Sequence, residues 1–312
     1  MNRVFEARGY TSVPDGTEVS PFLNPTDSNQ ADIPWGALDD MSIAAGRINP
    51  GAASWIHRHP VVTLVTFVVA GRLTLHMKGE RDPAPYALDM RRGQAAVTER
   101  GTMLQLQNTS DDAAEVLYIC SPAYVFDKED GGLPYDDAVL VAGAWAELLT
   151  LKDAGEETSD YDARARRAEA RRRMSKRRGI DIPRLTGDVV RSLPGPYDYL
   201  APDNSEIRLL VDGDHGGLAH CLLPAGRISS AVRHRTVEEL WYVLEGEGEV
   251  WRSRAGDERI DRVRQGDSLR VRVDTSFQFR AGEQHDLKLL LATMPPWPGP
   301  KEAVPVHGRW DR

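Results

Sequence analysis

His57 and His59 stand two residues apart in a run that reads as a β-strand, so alternation turns both imidazoles to the same face. Two imidazoles on one wall of a pocket are two nitrogen donors for a divalent metal, or a hydrogen-bonded pair in a pocket without metal. The register around them is Gly51-x5-His57-x-His59-x4-Leu64-x6-Gly71, and it recurs 175 residues later as Gly226-x5-Val232-x-His234-x4-Glu239-x6-Gly246. There the first histidine has become Val232, while Leu64 is replaced by Glu239. The second segment therefore offers one imidazole and one carboxylate. A buried pair of that kind can work as general base and general acid, because burial and pairing tune both groups, or it can close an internal salt bridge. Parity along the strands turns Val232, His234, Glu239, Trp241, Phe277 and Phe279 toward one interior, an aromatic cavity with two titratable groups. In the first half the same parity places Leu64 and Thr66 beside His57 and His59. His76 has the opposite parity from Leu73, Leu75 and Met77 and faces outward.

This register resembles the first motif of the cupins, Gly-x5-His-x-His-x3–4-Glu-x6-Gly. Their second motif, Gly-x5-Pro-x-Gly-x2-His-x3-Asn, is matched in part by Gly93-x5-Glu99-x-Gly101-x2-Leu104-x3-Asn108, and more weakly by Gly266-x5-Arg272-x-Asp274-x2-Phe277-x3-Ala281. The resemblance spans residues 38–125 and 205–297. It implies an all-β chain, two jelly-roll barrels whose metal-binding motifs have both decayed. In such barrels a carboxylate and a further histidine complete the metal site, but Leu64 and Leu104 occupy those positions here and cannot ligate. What remains is a weakly held divalent metal on His57 and His59, completed by water or a ligand, with no choice among Fe, Mn, Ni, Cu or Zn. The second barrel, with Val232 and Phe277 in place of two histidines, is expected to be metal-free.

The elements that must carry these residues are short strands. Val61–Val69 is a β-branched and aromatic run bounded by Pro60 and Gly71, and Leu73, Leu75 and Met77 alternate after it. Leu240–Leu244 and Glu247–Trp251 repeat the scheme around Gly246. A period of 175 residues is too long for a solenoid unit, which runs to roughly 20–50 residues, and has the size of a whole domain. The expected organisation is an N-terminal arm over 1–37, a first barrel over 38–127, a helical, charged linker over 128–200, a second barrel over 201–297 and a tail over 298–312. In the linker, Asp136–Leu151 carries Ala138, Val141, Ala142, Trp145, Leu148 and Leu149 at helical spacing. Arg164 to Arg178 holds nine Lys or Arg residues, read as a solvated helix face rather than an anion site. Met294 to Pro300, with four prolines, reads as a rigid strap over a barrel.

Composition narrows the function. The 312 residues carry a formal net charge of −8, so nothing draws the whole chain to nucleic acid or to an anionic membrane. No apolar stretch approaches the roughly 18 residues needed to span a bilayer. The N-terminus lacks the pattern of a secretory signal, and Cys120 and Cys221 read as buried thiols of a reducing cytoplasm. Gly213 to Gly217 reads as a hairpin turn, and no nucleotide cofactor is expected. For function, the resemblance implies a small-molecule enzyme, read here as a homodimer doing isomerase-, cyclase- or lyase-like proton transfer through His234 and Glu239 or through His57 and His59. The alternatives are a non-catalytic small-ligand binder in sensing or storage, and a metal-dependent dioxygenase.

Overall fold

The computed structural model describes residues 5–6, 9–24, 41–124, 138–149, 191–193, 195–213 and 216–311. An arm strand, β1 (Phe5–Glu6), comes first. The first barrel follows with β2 (Thr11–Ser12), β3 (Glu18–Leu23), β4 (Ser42–Ile48), β5 (Ile56–Arg58), β6 (Thr63–Ala70), β7 (Arg72–Lys78), β8 (Tyr86–Arg91), β9 (Gln94–Thr98), β10 (Met103–Gln107), β11 (Ala114–Ser121) and β12 (Val139–Ala142). A second arm strand, β13 (Arg191–Ser192), leads to the second barrel. That barrel holds β14 (Tyr199–Leu200), β15 (Glu206–Gly213), β16 (Gly216–Leu223), β17 (Val232–His234), β18 (Glu238–Glu245), β19 (Glu247–Arg254), β20 (Asp257–Arg264), β21 (Asp267–Val271), β22 (Ser276–Ala281), β23 (Leu287–Met294) and β24 (Ala303–Pro305).

The duplication expected from the sequence is carried into the topology. In the first barrel one sheet runs β13-β9-β6-β11-β4-β3-β2 and the other β12-β5-β10-β7-β8. In the second, the orders are β1-β21-β18-β23-β16-β15-β14 and, read from the corresponding edge, β24-β17-β22-β19-β20. Strand for strand these are the same barrel twice. Gly71 and Gly246 make the equivalent turns between β6 and β7 and between β18 and β19. Both have positive φ, 77° and 83°, and a Cβ would lie 2.7 Å from the Ala113 carbonyl oxygen at one and 2.2 Å from that of Asp286 at the other. Only glycine fits there without strain.

Each barrel encloses its own apolar core, one around Leu73, Leu75 and Leu106, the other around Val250, Leu269 and Leu289. A third cluster joins them: Phe67 and Leu117 of the first barrel pack with Leu210, Leu240 and Leu290 of the second, so the two larger sheets meet back to back. The arms cross this junction. β1, which precedes the first barrel, pairs with β21 of the second, and β13, which precedes the second, pairs with β9 of the first.

The linker differs from expectation where it is described. Of the stretch expected to be helical, the described residues 138–149 do not form an α-helix. Val139–Ala142 forms β12, which pairs with β5 (Leu140 opposite His57), and only Trp145–Leu149 turns into a single 3-10 segment. Pairing with the open edge of the histidine strand outweighs a weak helical period. The basic run from Arg164 to Arg178 lies outside the described residues. The tail behaves as a strap: β24 lies along β17, and Trp297 packs against the second core. No helix among the described residues is long and apolar enough to cross a membrane. Cys120 and Cys221 are both buried free thiols.

Candidate functional site

The second barrel holds an enclosed cavity of about 60 Å³. β17 brings His234 to it, and β18 brings Glu239 and Trp241, which share one face because they are two apart. β22 adds Phe277 and Phe279, and the strap adds Trp297. All six residues placed here by parity do line it, Val232 included. Nδ1 of His234 lies 3.8 Å from Oε1 of Glu239, beyond hydrogen-bond reach, while Nε1 of Trp241 donates to the other carboxylate oxygen at 2.7 Å. The imidazole stands edge-on to Phe277 and Trp297, with ring centroids 4.9 and 5.0 Å away.

Burial dominates the electrostatics. It pushes the Glu239 carboxyl up to about 8; the Trp241 hydrogen bond works against this, and the charges of Asp203 and Glu302 add to it. It pushes the His234 imidazole down to about 3. Near pH 7 the pair is therefore a neutral acid facing a neutral base, not a salt bridge, because neither charge is repaid at 3.8 Å in so dry a site.

The first barrel has a smaller counterpart of about 50 Å³, lined by His57, His59, Leu64, Tyr124 and Asp15. Nδ1 of His57 lies 2.9 Å from the Trp55 carbonyl oxygen, which only accepts, so Nδ1 carries the proton. Asp15 approaches that same nitrogen at 3.9 Å. The His57 and His59 rings meet edge-on at 5.2 Å. Leu64 faces the cavity, whereas Leu104, which pairs with His57, and Thr66 lie fully buried outside its lining, Leu104 within the core. His76 does face away, bonded to Gln107 at 2.9 Å.

Residues 46–120 match the cupin domain model. With the same topology repeated over 199–305, that match decides the class. By fold, the chain is a bicupin. Solved structures agree with this. The coconut allergen cocosin aligns with a TM-score of 0.64 at 13% identity, covering 95% of this chain and 86% of its own. The oxalate decarboxylase of Lactobacillus farciminis, in a formate complex, aligns with a TM-score of 0.64 at 14% identity over 98% and 89%. An 11S globulin from Wrightia tinctoria, described as revealing an auxin binding site, aligns with a TM-score of 0.62 at 11% identity over 94% and 83%. At such identities the likeness is one of fold. A comparison with curated protein sequences gives no match.

A metal at the cupin position does not fit the residues present. His57 and His59 supply two nitrogens, but Leu64 and Leu104 fill the places of further ligands. Asp15 approaches the protonated nitrogen of His57, not its lone pair. Among the described residues no group of three or more His, Cys, Asp or Glu side chains is placed to hold an ion, whereas catalytic zinc sites bring about three protein ligands.

Sequence reasoning missed the part played by the first turn of each barrel, between β2 and β3 and between β14 and β15. Val13-Pro14-Asp15-Gly16-Thr17-Glu18-Val19 recurs as Ala201-Pro202-Asp203-Asn204-Ser205-Glu206-Ile207. Both copies fold alike in this bicupin. Asp15 Oδ1 accepts from the Thr17 N–H and hydroxyl at 2.8 and 2.7 Å; Asp203 Oδ1 accepts from those of Ser205 at 2.9 and 2.7 Å. The Asp15 carbonyl accepts from the Trp55 N–H, and that of Asp203 from Ser230 N–H, at 2.7 and 2.8 Å. Each motif thus brings one aspartate to the wall of one cavity. The signal was a second internal repeat, hidden because its period of 188 residues differs from the 175 of the barrel motif.

Proposed function

We propose that the chain is a small-molecule enzyme whose proton-transfer chemistry, of the isomerase, cyclase or lyase kind, takes place in the second barrel. The carrying observation is the neutral pair: a carboxylic acid held protonated up to about 8 and an imidazole kept free of its proton, 3.8 Å apart in an aromatic cavity. Two groups whose surroundings drive their proton affinities apart are the acid and base of such a step. His234 takes a proton from the substrate, Glu239 returns one, and Trp241 holds the carboxyl in place through the bond to Oε2. Oxalate, a dianion, is a poor fit, because the residues lining the cavity include Asp203 and Glu239 and no Lys or Arg.

In the second reading the barrel binds a small ligand without turning it over. The edge-on rings of Phe277 and Trp297, which fix His234 from two sides, favour that role. Mass spectrometry of small molecules carried by the purified protein, followed by assay of the ligand with wild type and Glu239→Gln, separates the two. Under the enzyme reading the variant still binds and turnover falls by about 100-fold or more, the usual contribution of a general acid. Binding with no conversion by wild type leaves the binding protein.

A further inference from the structure

The walls of the second cavity say which kind of molecule it takes. Trp241, Trp297, Phe277, Phe279 and Tyr199 line it, and Trp241 crosses Phe277 and Phe279 at 86° and 74° with centroids 5.3 and 5.2 Å apart. Asp203 lies in the same wall, and among the described residues no lysine or arginine does. Three buried polar atoms of lining residues find no partner among the described residues: Nδ1 of His234, Oγ1 of Thr293 and Nε1 of Trp297. Perpendicular aromatic rings with a carboxylate among them match the surroundings that attract organic cations, since the ring faces carry negative potential. The first cavity also has a carboxylate, Asp15, but among the described residues its lining holds no Trp or Phe.

We propose that the second barrel recognises a small organic ammonium ion, a methylated or protonated amine, through its aromatic box and Asp203. This rests on the reading of that cavity as the working site and names its substrate class. The proton-transfer pair fits such a guest. A cation beside Glu239 favours the ionised carboxylate and opposes the burial that keeps it protonated up to about 8. Binding near pH 7 therefore drives a proton off Glu239, leaving a carboxylate beside the guest and releasing the proton to solvent. Charge balances: one cation enters and one proton leaves.

Three probes of similar shape and different charge test this: tetramethylammonium, tert-butanol and pivalate. Calorimetry at pH 7, in buffers of differing ionisation enthalpy, gives affinity and protons released together. We expect tetramethylammonium to bind at least tenfold more tightly than tert-butanol, pivalate to bind most weakly, and close to one proton to leave per cation bound. Trp297→Leu and Asp203→Asn should each weaken the cation about tenfold and leave tert-butanol unchanged; the asparagine keeps the oxygen that accepts from Ser205. Glu239→Gln should retain cation binding and release no proton. Tert-butanol bound as well as the cation, in a manner sensitive to Glu239→Gln, overturns the ammonium assignment and keeps the proton-transfer reading. No probe bound, with no change in the tryptophan fluorescence of the folded protein, overturns both.

Discussion

Replacing Glu239 by glutamine separates a protonated acid from a buried ion pair. An unfolded glutamate ionises above about 4.5, whereas the folded one holds its proton to about 8. A group whose folded value is raised gives its stabilisation in full below the unfolded value and loses it as pH rises through the folded one. Each pH unit well inside that window costs about 1.4 kcal/mol, so wild type should lose about 3 kcal/mol between pH 4.5 and 7, and about 4 by pH 8. Glutamine has no proton to hold. Its Oε1 can accept from Trp241, while its amide N–H groups face Nδ1 of His234 from beyond hydrogen-bond reach. A buried amide left without a partner costs roughly 1–3 kcal/mol. The two stability curves should therefore cross: the variant weaker near pH 5, equal or stronger at pH 8. Urea unfolding at pH 5, 6, 7 and 8, followed by tryptophan fluorescence and circular dichroism, measures this. Because other titrating groups cancel in the difference, only the slope between variant and wild type matters. Parallel curves, with the variant weaker by about 3–5 kcal/mol throughout, would mean an ionised Glu239 paired with a charged His234, and would end the neutral-pair reading.

On the acid side, His234 is held down to about 3 by burial, so its stabilisation is complete above 6.5 and drains as pH falls toward 3; His234→Leu should flatten that limb in the same titration. Elemental analysis of protein purified without chelator should find no stoichiometric transition metal; about one ion per chain, absent from His57→Ala/His59→Ala, would overturn the donor-set reading of the first barrel. Gly246→Ala should destabilise by about 1–3 kcal/mol and by more than Gly71→Ala, since its Cβ would meet the Asp286 oxygen at 2.2 Å against 2.7 Å for Ala113; equal melts would refute the steric reason. Ser54→Ala and Ser229→Ala each strip an acceptor from a buried N–H, of Leu106 and Phe279, and each should cost about 1–3 kcal/mol in a denaturant melt.

What the sequence made legible was whatever repeats at a period that a strand imposes. Parity put His234, Glu239, Trp241 and Phe277 into one cavity, since successive side chains on a strand must alternate. Parity also named Thr66, and the second motif Leu104, as cavity residues; neither says how far along the barrel the cavity reaches. The Asp136–Leu151 stretch misled because its alanines and leucines suit a helix, while the edge of β5 was invisible until the barrel closed. Asp15 and Asp203 sit in turns without periodicity, where only the recurrence of Pro-Asp would have given them away. Nor could sequence give the direction in which Glu239 and His234 titrate. That depends on how much water the finished cavity admits.

The crossed arms set the terms on which either barrel can exist. With β1 on the edge of β21 and β13 on the edge of β9, each half of the chain lends its leading strand to the other. A chain cut between the barrels leaves each half holding its own arm and missing its neighbour's, with one backbone edge bare and ready to pair with another molecule. Restoring both edges takes two such halves with arms exchanged, which is the arrangement of a domain-swapped dimer. This chain has that arrangement closed into a single covalent thread: its two halves should melt together, and neither can drift away from the other on dilution.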